Sequence, residues 1–422
     1  FVHVYIEVKN NTVNTPYGEF KHATFAPEFD NYIVPGKGRN DDNSGILVNH
    51  FTGTWFGIPV KADSTLIYGL RHPLLKTHAH SQFAVAMLKD IVGNSFSLGR
   101  GIAEFQLTYK GPVTPEDTFK RYLYGYFILK NADIHYLPRN LKFPDCNATL
   151  IFKGEDLYFK NTSIASQKSK IVMSGVAEKF LNAYFNDPSK AVFNWELSSD
   201  LIDLNEFKSF LSPRRKYELT QKERNRKISK FNHQLDLVLA KSTMKLDVKI
   251  KKVIYRRFSA EHILADISLQ ENAVKLSAVR LQHAGGSIVA KGAIQQQDDG
   301  NPFQLSGALK HVKVDQLFYA FENFGQRSLD AKNIKGDFSA NIVINGGLGA
   351  NAAVIKNSLR GKVYFTLENG ELNNFPPFLN ISKFIFKKRN LDHITFKTLS
   401  DELDIEQGKI TIHPMEIESS AI

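Results

Sequence analysis

The chain has 422 residues, of which 42% are apolar and 23% charged, with 32 Phe and 15 Tyr but a single cysteine, Cys146. This composition excludes a globally disordered protein, and one cysteine excludes intramolecular disulfides and a cysteine cage for a metal. The net charge of +11 favours an anionic partner, whether phospholipid head groups, lipopolysaccharide or nucleic acid. No apolar run approaches the length that a membrane-spanning helix needs.

The chain opens on Phe1 in a strand-like run over residues 2–8, without an initiator methionine or a signal peptide. We therefore expect that an N-terminal piece has been removed, which would have carried any membrane anchor. Residues 1–120 are predicted to form a β-rich unit with one helix near residues 81–92. In this unit His78 and His80 would lie on one side of a strand, but two ligands do not make a metal site, so no metal is predicted.

An internal repeat is the most informative feature of the chain. A segment with apolar residues alternating with polar ones recurs without a gap at offsets of 117 and 253 residues. The matched apolar positions are Leu150, Phe152, Leu157 and Phe159; Ile267, Leu269, Val274 and Leu276; and Leu403, Ile405, Ile410 and Ile412. Period-two alternation predicts strands with one apolar face. We expect repeat units at residues 121–212, 231–330 and 331–422, the third one truncated.

Short helices are predicted at the margins of these units, over residues 204–211, 316–324 and 378–386. Asp203 and Asp315 precede or open two of them. A carboxylate at a helix start accepts hydrogen bonds from free backbone N–H groups, so a structural role is predicted for both. The dipeptide Asn369-Gly370 is typical of a type I′ hairpin turn, and Gln407-Gly408 is a turn signal between the alternating runs 403–405 and 410–412.

A basic linker is predicted at residues 213–230. Its cations stand against only two glutamates, and a solvated linker is the plain interpretation. Contact with anionic head groups is the alternative, through Arg214, Arg215, Lys216, Arg224, Arg226 and Lys227. Nucleic acid is not predicted as a partner, because the run has almost no aromatic residues for base stacking.

These elements together predict a mainly β fold: an elongated, curved antiparallel sheet of repeated units, groove-like or taco-like, with a few short helices at its margins. No predicted helix is long enough to cover an extended apolar sheet face. Such a face must curl on itself or meet a hydrophobic ligand. The twelve matched apolar residues are therefore the candidate contacts for an acyl-chain lipid. Burial against them would shield the acyl chain of the lipid from water.

Two stretches of the C-terminal part share a family pattern: the 201–207 segment, and the path from Gly361 through Asn369-Gly370 and a Phe-rich helix to residues 394–396 and 410–412. On these residues the chain resembles the AsmA-like proteins of the bacterial envelope, which are related in architecture to TamB. The resemblance implies a periplasmic β groove with an apolar interior, an inner-membrane anchor in the full-length protein, and a part in phospholipid transport and outer-membrane biogenesis.

No catalytic centre, cofactor or nucleotide is predicted. The chain has neither a Gly-x-Ser-x-Gly nucleophile motif nor a P-loop. The expected function is non-enzymatic lipid binding or transfer. Its principal rival is an envelope assembly scaffold that binds protein partners by β-addition, and a hydrolytic enzyme is a second rival without a supporting motif.

Overall fold

The computed structural model describes residues 2–92, 96–114, 117, 119–211, 237–238, 241–297, 300–325, 329–349, 352–377, 379 and 391–413. The chain divides into two compact units. Unit 1 comprises Phe1–Ser166, Val172–Glu196 and Arg214–Met244, and unit 2 comprises Gln167–Ile171, Leu197–Pro213 and Lys245–Ile422.

The fold is mainly β, and each strand pairing defined for it is antiparallel, as predicted. The strands up to the end of the first repeat hairpin are β1 (His3–Tyr5), β2 (Val8–Thr15), β3 (Gly18–Asp30), β4 (Gly45–Trp55), β5 (Ile58–Tyr68), β6 (Leu74–Ala84), β7 (Phe96–Leu98), β8 (Ile102–Pro112), β9 (Tyr122–Tyr136), β10 (Leu141–Gly154) and β11 (Asp156–Ala165). In this group β3 pairs with β4, β4 with β5, β5 with β6, β6 with β8, β8 with β9, β9 with β10 and β10 with β11. Strands β1 and β2 both pair with β3, and β7 pairs with β9.

Three further strands are β12 (Lys170–Ala177), β13 (Val192–Asp203) and β14 (Thr243–Tyr255). The remaining strands lie in unit 2: β15 (Phe258–Gln270), β16 (Ala273–His283), β17 (Gly286–Gln295), β18 (Asn301–Lys313), β19 (Ile334–Leu348), β20 (Val354–Asn373), β21 (His393–Glu406) and β22 (Lys409–Ile412). Each strand of this second group pairs with the next in sequence, so β15–β22 form an uninterrupted meander.

The helices of the described residues are short. The α-helices are α1 (Lys89–Val92), α2 (Phe180–Phe185) and α3 (Val314–Ala320). The 3-10 helices span Asp41–Asn43, Val85–Leu88, Leu137–Arg139, Pro188–Lys190, Leu204–Leu211 and Glu322–Gly325.

The three predicted repeat copies are three hairpins with the same register. Phe152 pairs with Leu157, Leu269 with Val274, and Ile405 with Ile410. In each hairpin one further residue pair lies between this pair and a two-residue turn. The next matched pair follows two residues further out in each hairpin. The turn predicted at Gln407-Gly408 is confirmed in the third hairpin, and both residues have the positive φ that a type I′ turn needs, 49° and 74°.

The second predicted turn, Asn369-Gly370, is wrong. Both residues lie inside the twenty-residue strand β20, where Asn369 has φ 52° and the register with β19 shifts opposite them. This is a β-bulge, and Asn369 adopts in it the left-handed conformation that a type I′ turn also needs. The ring of Phe396 on β21 packs over the Gly370 Cα, where a side chain would collide with it.

The predicted helices are confirmed in part. Residues 204–211 are helical, and residues 316–324 contain the end of α3 and a 3-10 turn. The helix predicted near residues 81–92 is wrong over residues 81–84, which complete β6, because Ser81 and Phe83 continue its buried alternating face. Residues 378–386 lie outside the described residues except for Leu379.

Asp203 has the predicted structural role at the start of the 204–211 helix. Its Oδ1 accepts hydrogen bonds from the backbone N of Asn205 at 3.0 Å and from the Asn205 side-chain amide at 2.7 Å. The Lys168 ammonium lies 3.6 Å from Oδ2. Burial opposes ionisation, but these donors outweigh it, so the pKa of Asp203 lies below its ordinary value. Asp315 lies in the first turn of α3, as predicted.

Replacing Gly370 with Ala is expected to destabilise the protein by about 1–3 kcal/mol, because the added methyl group overlaps the Phe396 ring. Thermal unfolding followed by circular dichroism measures the loss. Gly99→Ala is the matched control, since its methyl group would lie 3.4 Å from the nearest atom, and little change is expected. Adding Phe396→Leu to Gly370→Ala should recover part of the loss; equal losses in both glycine variants would contradict the bulge packing.

Asp203→Ala is expected to cost about 1 kcal/mol at pH 7, because the Asn205 N–H loses its acceptor. A lowered folded-state pKa contributes stability above the unfolded-state pKa near about 4, and this contribution is lost as pH falls through the folded-state value. The difference between wild type and variant should therefore shrink below about pH 4. Urea unfolding at several pH values measures it, with the exposed Asp266→Asn as control.

Candidate functional site

One face of the unit 2 meander carries a continuous apolar row across eight strands. Each residue of this first row is the direct cross-strand partner of the next one, and directly paired residues point to the same side of a sheet. The first row is Ile267, Leu276, Gly292, Leu305, Ile344, Gly361, Ile405 and Ile410, from β15 to β22. Seven interstrand spacings of about 4.8 Å make its length roughly 34 Å along the pairing direction.

Further apolar rows flank the first one on the same face. The second row is Ala265, Val279, Ala290, Gly307, Ile342, Val363, Leu403 and Ile412. The third row, beyond the second, is Leu281, Ile288, Leu309, Ala340, Phe365 and Asp401. The outer row, on the other side of the first, is Leu269, Val274, Ile294, Phe303 and Gly346. We call these four rows the apolar face.

The opposite side of the same strands is polar. Moving each first-row position by one residue gives a second paired series: Ser268, Lys275, Ala293, Gln304, Asn345, Arg360, Glu406 and Lys409. Seven of these eight residues are polar or charged. The unit 2 sheet is therefore amphipathic across its full described width. The polar side chains of the second series favour contact with water on that side.

The apolar face is only partly covered. None of the eight first-row positions is fully buried among the described residues. Leu305 and Ile410 of the first row are 36% and 49% exposed, and Ile412 of the second row is 60% exposed. At the third row the face is packed instead, because Leu317 of α3 clusters with Leu309 and Val312. Val314 and Leu367 belong to an adjoining buried cluster. The β15 end of the face is packed as well, because Ile267 and Val279 lie against a buried cluster that includes Ala265. The face is thus packed at the third row and at its β15 end, and open at Leu305 and Ile410 of the first row.

A model of the AsmA family matches residues 163–415 of the chain. The chain belongs to the AsmA family. No curated protein and no solved structure matched it. Membership connects the chain with envelope-related function, and the whole apolar face lies inside the matched residues. No helix in the described ranges is long and apolar enough to cross a membrane.

The structure brings the predicted contacts of the second and third copies together in this AsmA-family chain. All eight of them, Ile267, Leu269, Val274, Leu276, Leu403, Ile405, Ile410 and Ile412, lie on the apolar face. The residues that join the two sets, on β17–β20, were missed. Their alternation was visible in the sequence, but their alignment into one row depends on five pairing registers, from β16–β17 to β20–β21, that no local signal specifies.

The predicted contacts of the first copy have a different environment. Leu157 is 4% exposed, and Leu150, Phe152 and Phe159 pack against the same buried cluster. Helix α2 and β13 contribute aromatic residues to that cluster, and the centroids of the Phe159 and Trp195 rings lie 4.3 Å apart. These four residues precede the part of the chain that the family model matches. Their contact with lipid stays a prediction.

The six head-group candidates, Arg214, Arg215, Lys216, Arg224, Arg226 and Lys227, lie outside the described residues.

The two histidines of β6 have a carboxylate neighbour that was missed in the sequence. Asp63 Oδ2 lies 3.9 Å from both His78 Nε2 and His80 Nδ1. His78 is already engaged, since its Nδ1 lies 2.8 Å from the Thr108 hydroxyl. In the part of the chain that the structure describes, no group of three or more His, Cys, Asp or Glu residues is arranged to hold a metal ion.

Truncating one leucine in each environment should separate packed positions from open ones. Leu157→Ala is expected to cost about 2–5 kcal/mol of unfolding free energy, because it leaves a cavity under α2. Leu305→Ala is expected to cost less than about 1 kcal/mol, because its side chain is already 36% exposed. Chemical denaturation measures both. A cost at Leu305 equal to that at Leu157 would show that the first row is covered.

Proposed function

We propose that this AsmA-family chain binds and conducts phospholipid without catalysing a reaction. The observation that supports the proposal is the first row of the apolar face: eight paired positions with no polar side chain, none fully buried among the described residues. Soluble proteins rarely leave a contiguous apolar surface of this kind without a hydrophobic partner.

The mechanism is shielding. Acyl chains lie on the branched side chains of the first and second rows, and each buried CH₂ contributes about 0.8 kcal/mol. Because the rows continue from strand to strand, a bound chain meets similar side chains at every position and can move along them without a large barrier. Direction comes from whatever supplies and removes lipid at the ends.

We further propose that the protein works in the periplasm and that the full-length protein is held at the inner membrane. Family membership supports this placement. The proposed partners are phospholipid and proteins of the envelope, with no nucleic acid and no cofactor. The scaffold alternative uses the same apolar face for a protein, and the experiment below distinguishes the two.

Leu305 and Gln304 offer a matched pair of test positions. They are neighbours on β18 that point to opposite faces, Leu305 in the first row and Gln304 in the polar series. The protein is purified without detergent, and bound lipid is measured by native mass spectrometry and by extraction. Leu305→Asp is expected to lower bound phospholipid at least about fivefold, because a charge on the face repels acyl chains. Gln304→Asp is expected to leave it unchanged.

Circular dichroism confirms that both variants fold. Equal lipid content in wild type, Leu305→Asp and Gln304→Asp would show that lipid binds elsewhere. A wild-type protein that carries no lipid and takes none from phospholipid vesicles would overturn the proposal and favour the scaffold.

A further inference from the structure

Unit 1 carries tyrosines and lysines together on one side of five neighbouring strands. Tyr122, Tyr124 and Tyr126 alternate along β9, so their side chains point to the same side of the sheet. Phe127 and Leu129 point to the other side, where they pack against a buried cluster. Direct pairing extends the tyrosine side over β6, β8, β10 and β11. We call this surface the tyrosine-lysine patch; its members are Tyr122, Tyr124, Tyr126, Tyr158, Lys76, Lys110, Lys153 and Lys160.

Two lysines of the patch lie over tyrosine rings. The Lys110 ammonium is 5.6 Å from the centroid of the Tyr124 ring, and the Lys153 ammonium is 5.1 Å from that of Tyr158. Tyr124 is 43% exposed. Each lysine stem therefore runs beside an aromatic ring while its charged end stays at the surface. The ring face that a stacking nucleobase would need is thereby occupied.

The lysine charges of the patch are not neutralised. Lys76, Lys110, Lys153 and Lys160 are exposed, and no carboxylate of the described residues lies within ion-pair distance of any of them. Lys76 and Lys110 are direct cross-strand partners. Like charges at such positions oppose folding, so an anionic partner would relieve a repulsion that is built into the sheet.

The carboxylates on the same side of these strands have other partners. Glu104 accepts a hydrogen bond from the Tyr126 hydroxyl at 3.1 Å and lies 3.7 Å from the Lys130 ammonium. Asp156 accepts a hydrogen bond from the backbone N of Lys179 at 2.8 Å. The patch therefore keeps an excess of positive charge at its surface.

The size of the patch bears on the kind of partner that fits it. Four interstrand spacings give a width of about 19 Å, and six residues along a strand give a length of about 20 Å. Its area is therefore roughly 400 Å², about half of the roughly 800 Å² that each partner contributes to a stable protein interface. A membrane surface has no such minimum area and meets exposed side chains of any flat patch.

We propose that the tyrosine-lysine patch binds the surface of a membrane that contains anionic phospholipid. Tyrosine suits the boundary between head groups and acyl chains, because its ring is apolar and its hydroxyl remains in contact with water. The lysine ammonium groups then lie against the phosphates of the head groups. The patch belongs to unit 1 and the apolar face to unit 2, so this contact is separate from the lipid binding proposed above and does not depend on it.

Vesicle flotation with the full chain tests the proposal. The protein is titrated with vesicles of equal parts dioleoyl phosphatidylcholine and phosphatidylglycerol, or of phosphatidylcholine alone, and the floating fraction of the protein gives a partition coefficient. Each lysine near an anionic surface raises partitioning about fivefold, so wild type is expected to favour the anionic vesicles at least about tenfold. Replacing Lys110 and Lys153 with Gln together should lower partitioning into them about ten- to thirtyfold. Tyr124→Ser should lower it about threefold with the charge unchanged.

The matched control replaces Lys275 and Lys291 with Gln, which removes the same charge from two exposed positions on the polar side of unit 2. It should keep wild-type partitioning, and circular dichroism shows that all variants fold. An equal loss in both double variants would show that net charge alone attracts the protein, and would overturn the patch.

A wild type that does not float with anionic vesicles would overturn the membrane contact. If such a protein instead bound polyglutamate through Lys110 and Lys153, the patch would belong to an acidic protein partner. Leu305→Asp, which impairs the apolar face, should float as wild type does. The membrane contact and the proposed function can therefore fail separately.

Discussion

The apolar face of unit 2 depends on pairing register. In a strand, successive side chains alternate between the two faces, so a slip of one residue would exchange Leu276 for Lys275 and Leu305 for Gln304. Seven consecutive pairings in β15–β22 keep the apolar series aligned. Two-residue turns fix the first and last of these pairings, since a short turn leaves no freedom to shift. The sheet is amphipathic because of its pairing registers as much as because of its residues.

The same apolar pattern has two outcomes in this chain. Around Leu157 it is covered by a six-residue helix, α2, and by aromatic residues of β13, which makes it an ordinary core. Around Leu305 the equivalent surface stays open within the described residues. Three hairpins with equal register and equal hydrophobicity therefore do not share one role. The covering element decides whether an apolar sheet face is core or binding surface.

Sequence alone predicted the mainly β class, the three equivalent hairpins and eight of the apolar-face residues, because all of these follow from local alternation and a constant spacing. It could not predict that β17–β20 join the hairpins into one row, since non-local registers carry no local signal. Asn369-Gly370 was mistaken for a turn because the left-handed conformation that a type I′ turn needs also occurs at Asn369 in this bulge.

Two glycines interrupt the first row, Gly292 on β17 and Gly361 on β20. A side chain at either one would collide with a backbone carbonyl of the adjacent strand, that of Gln304 or of Val343. Main chain alone forms the surface at these two points, whereas interchangeable branched residues form it at the other six. Exchanging Ile, Leu and Val at those six positions would therefore preserve the row, whereas any side chain at Gly292 or Gly361 would fill one of its two depressions and push the adjacent strand away.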